Sequence, residues 1–575
     1  MRKPTIEQKL PSYLRPFIAT QDESLYTAMD HAAWRFILKV SRKFFATRAH
    51  RKYLDGLEET GISVERIPLI SEMDEKLSQF GWRAVPVVGF IPPVEFMEFL
   101  SLGVLPIACD MRTLEHLSYT PAPDIVHEAA GHAPIIADSE YADFLHAFGE
   151  VSRKVIFSKH DMAVYEAVRS LSDIKEDPKS TPKDMDKAQS RLDQTLAAVD
   201  HDSEATLLTR LYWWTGEYGL VGDLKDPKIY GAGLLSSLAE SYHCLNADVK
   251  KVPYNTKCAA VGFDITRPQP QLFVTPDFKT LRDSLEEFAK TLSYKRGGLA
   301  SLEIAKKAET VTATELDSGV QISGVLSEII CDKSARPIYL RWSGPAQLAH
   351  QGYELQGHSS KRHPDGFGTA LGHFKQTGGA LKFDSGVTIA GECIKVLRVD
   401  PKDDKSPPLV MTFKNCTVTY MDPKGILRTL FEPAWGEYDL AMGSAVVSVF
   451  GGAADRGRYI ETTGGYRQVP YKQKTNLTAA NRDLNELYAE LRKLRESGYV
   501  ETAVLLKACS ALAKDLDEKH ADDWLLRIEL LEFAKAHALQ LPQEKKIRDR
   551  IFEIAKQSND NQELISRGLD AFGVA

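Results

Sequence analysis

The decisive stretch runs Pro123-Asp124-Ile125-Val126-His127-Glu128-Ala129-Ala130-Gly131-His132. Two imidazoles and a carboxylate fall within six residues. In an α-helix each residue turns about 100°, so side chains four apart diverge by about 40° and those five apart by about 140°. The pattern therefore differs from the H-E-x-x-H zinc-protease helix. Histidines at i and i+5 can address one ion only where the helix is irregular. Pro121 and Pro123 just upstream predict an irregular entrance, with His127 where the backbone is still turning. The competing reading is two histidines satisfied by hydrogen bonds in a core or at a surface.

A second stretch is Leu211-Tyr212-Trp213-Trp214-Thr215-Gly216-Glu217-Tyr218-Gly219-Leu220. Glu217 sits among aromatic residues, so burial is expected. A buried, unpaired carboxylate costs several kcal/mol or takes up a proton, and a divalent cation removes that cost. The bland alternative is a solvent-facing glutamate or one paired with arginine. Two histidines and one carboxylate are the facial set of non-haem Fe(II) oxygenases. Zinc hydrolases use the same ligand types, so composition alone leaves both open.

The third stretch is Tyr230-Gly231-Ala232-Gly233-Leu234-Leu235-Ser236-Ser237. Its G-x-G lacks the final glycine of a dinucleotide fingerprint, and no parallel-strand context surrounds it. The glycines are expected to let backbone approach a ligand or another element closely.

In this order, PDIVHEAAGH, EYGL and YGAGLLSS resemble the pterin-dependent aromatic amino acid hydroxylases, most closely the phenylalanine 4-monooxygenase branch. A further stretch, PVVGFIPPVEF (Pro86–Phe96), then Arg112 and Tyr119-Thr120-Pro121, follows the same pattern. The resemblance spans roughly residues 25–250. It implies an Fe(2+)-, tetrahydropterin- and O2-dependent monooxygenase that hydroxylates the ring of a free aromatic amino acid, L-phenylalanine before tryptophan or tyrosine. A zinc hydrolase built on the same three ligands is the alternative from another class.

What the resemblance implies for individual residues is specific. His127, His132 and Glu217 would hold the iron. Glu128 would meet the pterin and act in catalysis. Gly89, Ile91, Phe96 and Tyr212 would line the pterin, with Phe96 stacking on it. Arg112 would pair with the substrate carboxylate, helped by Thr120 and Ser236. Pro123, Trp213 and Tyr218 would wall the substrate ring. Departures from the pattern include Ala129, Ala130 and Ala133 near the histidines and Pro93 beside the pterin. Gly216 stands where valine is common and is expected to widen the ring pocket.

Outward from these motifs the chain changes character twice. Residues 1–308 read as a mainly helical catalytic domain, with a polar, solvated insertion near 173–204. Asp22 or Ser24 is expected to cap a helix over Met29–Arg48, and a helix is expected over Val94–Leu102. Residues 309–475 read as β-rich: Val320/Ile322, Ile338/Leu340/Trp342 and Ile394/Val396 alternate at period two. Asp422-Pro423-Lys424-Gly425 is hairpin chemistry. Residues 476–575 return to amphipathic helix. The fold class expected is multidomain α+β, with the catalytic part mainly α. The C-terminal parts are expected to mediate self-association or an unknown protein contact. His350, His358, His363 and His373 are read as loop histidines, with a metal site as the alternative.

Composition bounds the function. The 575 residues carry a formal charge of −7, against nucleic-acid binding. No apolar run reaches about 18 residues, so no membrane span is expected. The start, MRKPTIEQKL, lacks a secretory apolar core, and seven cysteines without C-x-x-C pairs read as reduced thiols. A cytoplasmic protein whose partner is a small aromatic amino acid is the expectation.

Overall fold

The protein's computed structural model describes residues 6–89, 91–118, 123–176, 180–265, 267–422, 424–464, 472–498 and 501–575. The N-terminal half is helical around a long spine, α1 (Ala28–Arg48). Thr27 caps it in a reciprocal box with Asp30, whose side chain accepts from the Thr27 N–H. Asp22 instead caps the short turn before it. A Thr three residues ahead of a carboxylate competes better for the helix start than an isolated Asp.

Strands β1 (Arg83–Val87) and β2 (Val104–Ala108) pair in parallel, joined by α2 (Pro93–Ser101). The chain then passes Arg112 and turns into the first histidine stretch. After α3 (Ser139–Ser152) come α4 (Lys159–Glu176) and α5 (Pro182–Ala197). These two form a hairpin with its own small core of Ala167, Leu171, Ala188 and Leu192. Most of the polar excursion expected near 173–204 is thus a helix with one apolar stripe. Next, α6 (Glu204–Tyr212) runs into the Glu217 stretch. A small mixed sheet follows: β3 (Leu220–Val221), β4 (Lys228–Ile229), β5 (Lys250–Pro253) and β6 (Gln271–Thr275).

Between residues 311 and 451 two antiparallel sheets form. One contains β7 (Val311–Leu316), β8 (Val320–Cys331), β9 (Pro337–His350), β10 (Tyr353–Glu354), β11 (Gly366–Ala370) and β18 (Val446–Gly451). The other contains β12 (Phe374–Thr377), β13 (Ala380–Phe383), β14 (Val387–Arg398), β15 (Pro408–Met421), β16 (Leu427–Phe431) and β17 (Tyr438–Ala441). Val320, Ile322, Ile338, Leu340 and Trp342 are buried, as alternation predicts. Ile394 and Val396 are exposed instead. Register shifts between Ala390 and Glu392 and between Cys393 and Lys395 break the facing that strict alternation assumes. The β15–β16 hairpin closes with the Asp422 N–H on the Ile426 carbonyl; Pro423 lies outside the described residues.

The C-terminal helices are α8 (Arg456–Thr463), α9 (Arg482–Glu496), α10 (Thr502–Lys519), α11 (Leu525–Ala536), α12 (Glu544–Ala555) and α13 (Asn559–Ala571). From α9 onward their apolar faces join the same core as α1. Phe36 meets the rings of Trp524 and Phe572 at 5.1 and 6.0 Å. Arg35 on α1 binds Glu529 at 2.9 Å and Glu532 at 3.0 Å, and Arg495 adds a second guanidinium to Glu532 at 2.8 Å. The last hundred residues therefore complete the core of the N-terminal half. Among the described residues, no helix is long and apolar enough to cross a membrane.

Candidate active site

The two histidines lie on a π-helical turn, Val126–His132. A π-turn closes its hydrogen bonds one residue later than an α-turn. Side chains five apart then take the stacked places that residues four apart hold in an α-helix. This resolves the spacing: the irregularity is the turn itself rather than a frayed entrance. Glu217 ends a second π-turn, Trp213–Glu217, at the end of α6. Such turns recur at functional sites because they re-aim side chains.

The three ligand-type side chains converge. His132 Nε2 lies 3.1 Å from Glu217 Oε1, and His127 Nε2 lies 3.4 Å from Glu217 Oε2. The imidazole rings stand nearly perpendicular, centroids 5.1 Å apart. Glu217 is 14% exposed and His132 1%. Burial alone would raise the Glu217 carboxyl; the two imidazoles and the Gly233 N–H outweigh it and hold the group below its ordinary value. Burial pushes the His127 imidazole down to about 4, so its neutral, ligating form prevails.

Ser236 decides which nitrogen of His127 is free. Its hydroxyl donates to the Ala232 carbonyl at 2.8 Å, so toward His127 Nδ1, 3.0 Å away, it accepts. The proton is thereby placed on Nδ1 and the Nε2 lone pair faces Glu217, the usual way an outer group fixes a ligating histidine. The resemblance implies a substrate contact for this hydroxyl; in the structure its partners are the Ala232 carbonyl and His127 Nδ1.

Glycines bring the three motifs together. A Cβ on Gly231 would lie 2.3 Å from the Glu217 carbonyl oxygen and 2.5 Å from Gly219 N. A Cβ on Gly131 would lie 2.7 Å from the carbonyl oxygen of Ala232, the first residue of short helix α7 (Ala232–Leu235). The close approach expected of YGAG is therefore to the backbone of the other two motifs. Gly216 is packed too: a Cβ there would strike the Tyr212 ring at 2.6 Å, so the missing side chain makes room for Tyr212 rather than for an open pocket.

Arg112 is buried, with Nε and Nη2 forked on Asp124 at 2.7 and 2.8 Å and Nη1 on the Ser236 carbonyl at 3.0 Å. A guanidinium has five N–H groups, so two stay available. Asp124 also accepts the Arg112 and His127 backbone N–H groups at 3.0 and 3.2 Å. It ties the guanidinium to the histidine turn, a role sequence reasoning did not assign although the residue stands inside the decisive motif. Trp213 is sandwiched between Tyr218 (4.4 Å) and Phe263 (4.1 Å, rings 8° apart). Phe263 was missed because it comes from a distant loop with no pattern of its own. Pro123 and Phe96 are partly exposed, Ile91 and Tyr212 are buried, and Gly89 has φ +65°. Thr120 lies outside the described residues.

Among the described residues, four buried polar atoms of this site lack a partner: Glu128 Oε2, His132 Nδ1, Tyr212 OH and Trp213 Nε1. Left unmet, such a group costs about 1–3 kcal/mol. Burial, then the nearby Asp124 charge, push the Glu128 carboxyl well up. A bridging cation at the triad and a polar ligand beside Glu128 and Tyr212 both suit this donor set.

A family model for the biopterin-dependent aromatic amino acid hydroxylases matches residues 21–156 and 184–332, which include all three ligand-type residues. The phenylalanine-4-hydroxylase of Mesorhizobium japonicum is 29% identical over 274 residues, 47% of this chain and 83% of that one. That of Pseudomonas aeruginosa is 30% identical over 264 residues, 46% and 84% of the two chains. A solved Chromobacterium violaceum phenylalanine hydroxylase with bound iron(III) and oxidized cofactor 7,8-dihydrobiopterin is 26% identical. It covers 51% of this chain and 93% of that chain, with a TM-score of 0.39.

Proposed function

The chain belongs to the biopterin-dependent aromatic amino acid hydroxylases, and from that premise we propose that it converts free L-phenylalanine to L-tyrosine with ferrous iron, a tetrahydropterin and O2. The observation that carries this reading is the meeting of His127, His132 and Glu217 from two π-turns. When bound, iron and pterin supply the activation of dioxygen, and the protein supplies placement.

Each residue then has a task. His127, His132 and Glu217 would hold the ion through two neutral imidazoles and one carboxylate, leaving open positions on it. Ser236 keeps His127 in its ligating tautomer. Arg112, fixed by Asp124, would offer its two remaining N–H groups to the substrate carboxylate. Trp213 and Tyr218, with Pro123, would wall the aromatic ring, and Phe263 braces Trp213 from behind. Gly89, Ile91, Phe96 and Tyr212 would line the pterin, and Glu128, with its unmet oxygen, would bond to it. Thr120 would add a hydrogen bond to the amino acid. Burial of the triad excludes bulk water and strengthens every polar contact within it. The strand-rich stretch is proposed as a separate β domain over 309–475. A cytoplasmic location, and self-association or an unknown protein contact through the C-terminal parts, belong to the same proposal.

The test is a product assay with Fe(II)-loaded full chain, reduced pterin and each of phenylalanine, tryptophan and tyrosine, in air and under argon. Tyrosine formed from phenylalanine only in air and only with reduced pterin supports the reading. Turnover of none of the three amino acids in air would overturn it. Oxygen-independent hydrolytic activity with zinc would establish the hydrolase alternative.

A further inference from the structure

Away from the triad, the strand-rich stretch brings two of its four neighbouring histidines, His358 and His363, against Asp439. His358 and His363 lie on the loop between β10 and β11; Asp439 lies on β17. All three side chains are buried, at 3%, 8% and 1% exposure. His358 Nδ1 is 3.4 Å from His363 Nε2, 3.8 Å from Asp439 Oδ2, and His363 Nε2 is 3.9 Å from that same oxygen.

These separations are informative. The two nitrogen–oxygen distances exceed hydrogen-bond reach. They suit two bonds of about 2 Å meeting at an ion. A triangle with sides 3.4, 3.8 and 3.9 Å has its equidistant point about 2.1 Å from every corner, within the zinc–nitrogen and zinc–oxygen range.

The frame around the atoms is fixed. The Leu348 and Ala346 N–H groups, both on β9, donate to the His358 and His363 carbonyls at 3.0 and 2.9 Å. Asp439 sits opposite Thr412 in the β15–β17 pairing, and the Thr412 hydroxyl donates to Oδ1 at 2.6 Å. Arg362 Nε donates to Oδ2 at 3.2 Å while its other end pairs with the exposed Glu437. A carboxylate oxygen has a second lone pair, so Arg362 can support a ligating Oδ2 from outside.

We propose that His358 Nδ1, His363 Nε2 and Asp439 Oδ2 form a second metal site, for a borderline divalent ion of the zinc class, that fastens one β-sheet to the other. Imidazole donors select against magnesium and calcium. Three protein ligands leave a fourth position for water. The site needs nothing from the hydroxylase reading, and its test removes the triad first.

Full-length Glu217→Ala chain is stripped with chelator, dialysed against micromolar Zn2+, and counted for metal. One tightly held equivalent is expected, with a rise in Tm on Zn2+ addition. Glu217→Ala/His363→Ala and Glu217→Ala/Asp439→Asn should hold none and show no rise. The near-isosteric Asp439→Asn serves if His363→Ala fails to fold. Visible absorption of Co2+ bound to the Glu217→Ala chain should show the strong bands of a four-coordinate site. No bound Zn2+ in the Glu217→Ala chain, or an equivalent that persists in both double variants, would overturn the proposal.

Discussion

Replacing Gly231 with alanine tests how the fold sets the third ligand. The new Cβ would lie 2.3 Å from the Glu217 carbonyl oxygen and 2.5 Å from Gly219 N. Both are backbone atoms, so no flexible side chain can swing aside. Restoring an ordinary carbon–oxygen separation needs a shift of about 1 Å, and overpacking of this kind costs about 1–3 kcal/mol. The displaced element carries Glu217 itself. Mispositioning a reacting group by about 1 Å costs about 100-fold in rate. Gly231→Ala should thus remain folded by circular dichroism, bind Fe(II) more weakly and lose about two orders of magnitude in kcat with phenylalanine. Activity within twofold of wild type, with stoichiometric iron, would refute the argument that this glycine sets the ligand.

The ligands themselves are tested by Glu217→Ala and His132→Ala, each expected to abolish iron binding with the far-UV spectrum unchanged; stoichiometric iron in both would refute the assignment. Arg112→Ala should raise the phenylalanine KM by roughly 10- to 100-fold, the worth of a charged hydrogen bond, and an unchanged KM would remove its carboxylate role. Phe572→Ala should destabilise the N-terminal half by about 3 kcal/mol, because its ring packs on Phe36; an unchanged Tm would mean the C-terminal helices fold apart from it. Acid should loosen the same contact. Burial works to raise the Glu532 carboxyl, but Arg35 and Arg495 hold it down at about 2. A depressed carboxylate stabilises the fold above its unfolded value and loses that as pH falls toward 2, an effect of order 3 kcal/mol. Glu532→Gln should flatten the fall in Tm between about pH 4.5 and 2, and an identical acid profile would contradict it.

Much of the site could be read from the sequence because its chemistry sits in short ordered motifs. His127, His132 and Glu217 were legible as a metal-ligand set, iron or zinc left open by composition alone. Their geometry was not: helical periodicity assumes 3.6 residues per turn, so both π-turns were invisible, and the i, i+5 spacing looked like an obstacle. Asp124 lay in plain view, yet only coordinates show it gripping Arg112. Phe263 offers no pattern at all. Amphipathic spacing predicted that the C-terminal helices bury a face, but a stripe of leucines does not name its partner, which proved to be α1. Likewise His358 and His363 were visible as a cluster, while Asp439 joined them only through the pairing of β17 with β15.

The most direct test of the central claim is X-ray absorption at the iron edge of the Fe(II)-loaded full chain. Outer-ring scattering from two imidazoles, with oxygen filling the rest of the inner shell, is the expected spectrum in the Asp439→Asn background, where the second His/His/Asp cluster no longer competes for the ion, and His132→Ala in that background should bind no iron to measure. A spectrum with one imidazole or none would contradict the convergence of both π-turns on a single ion.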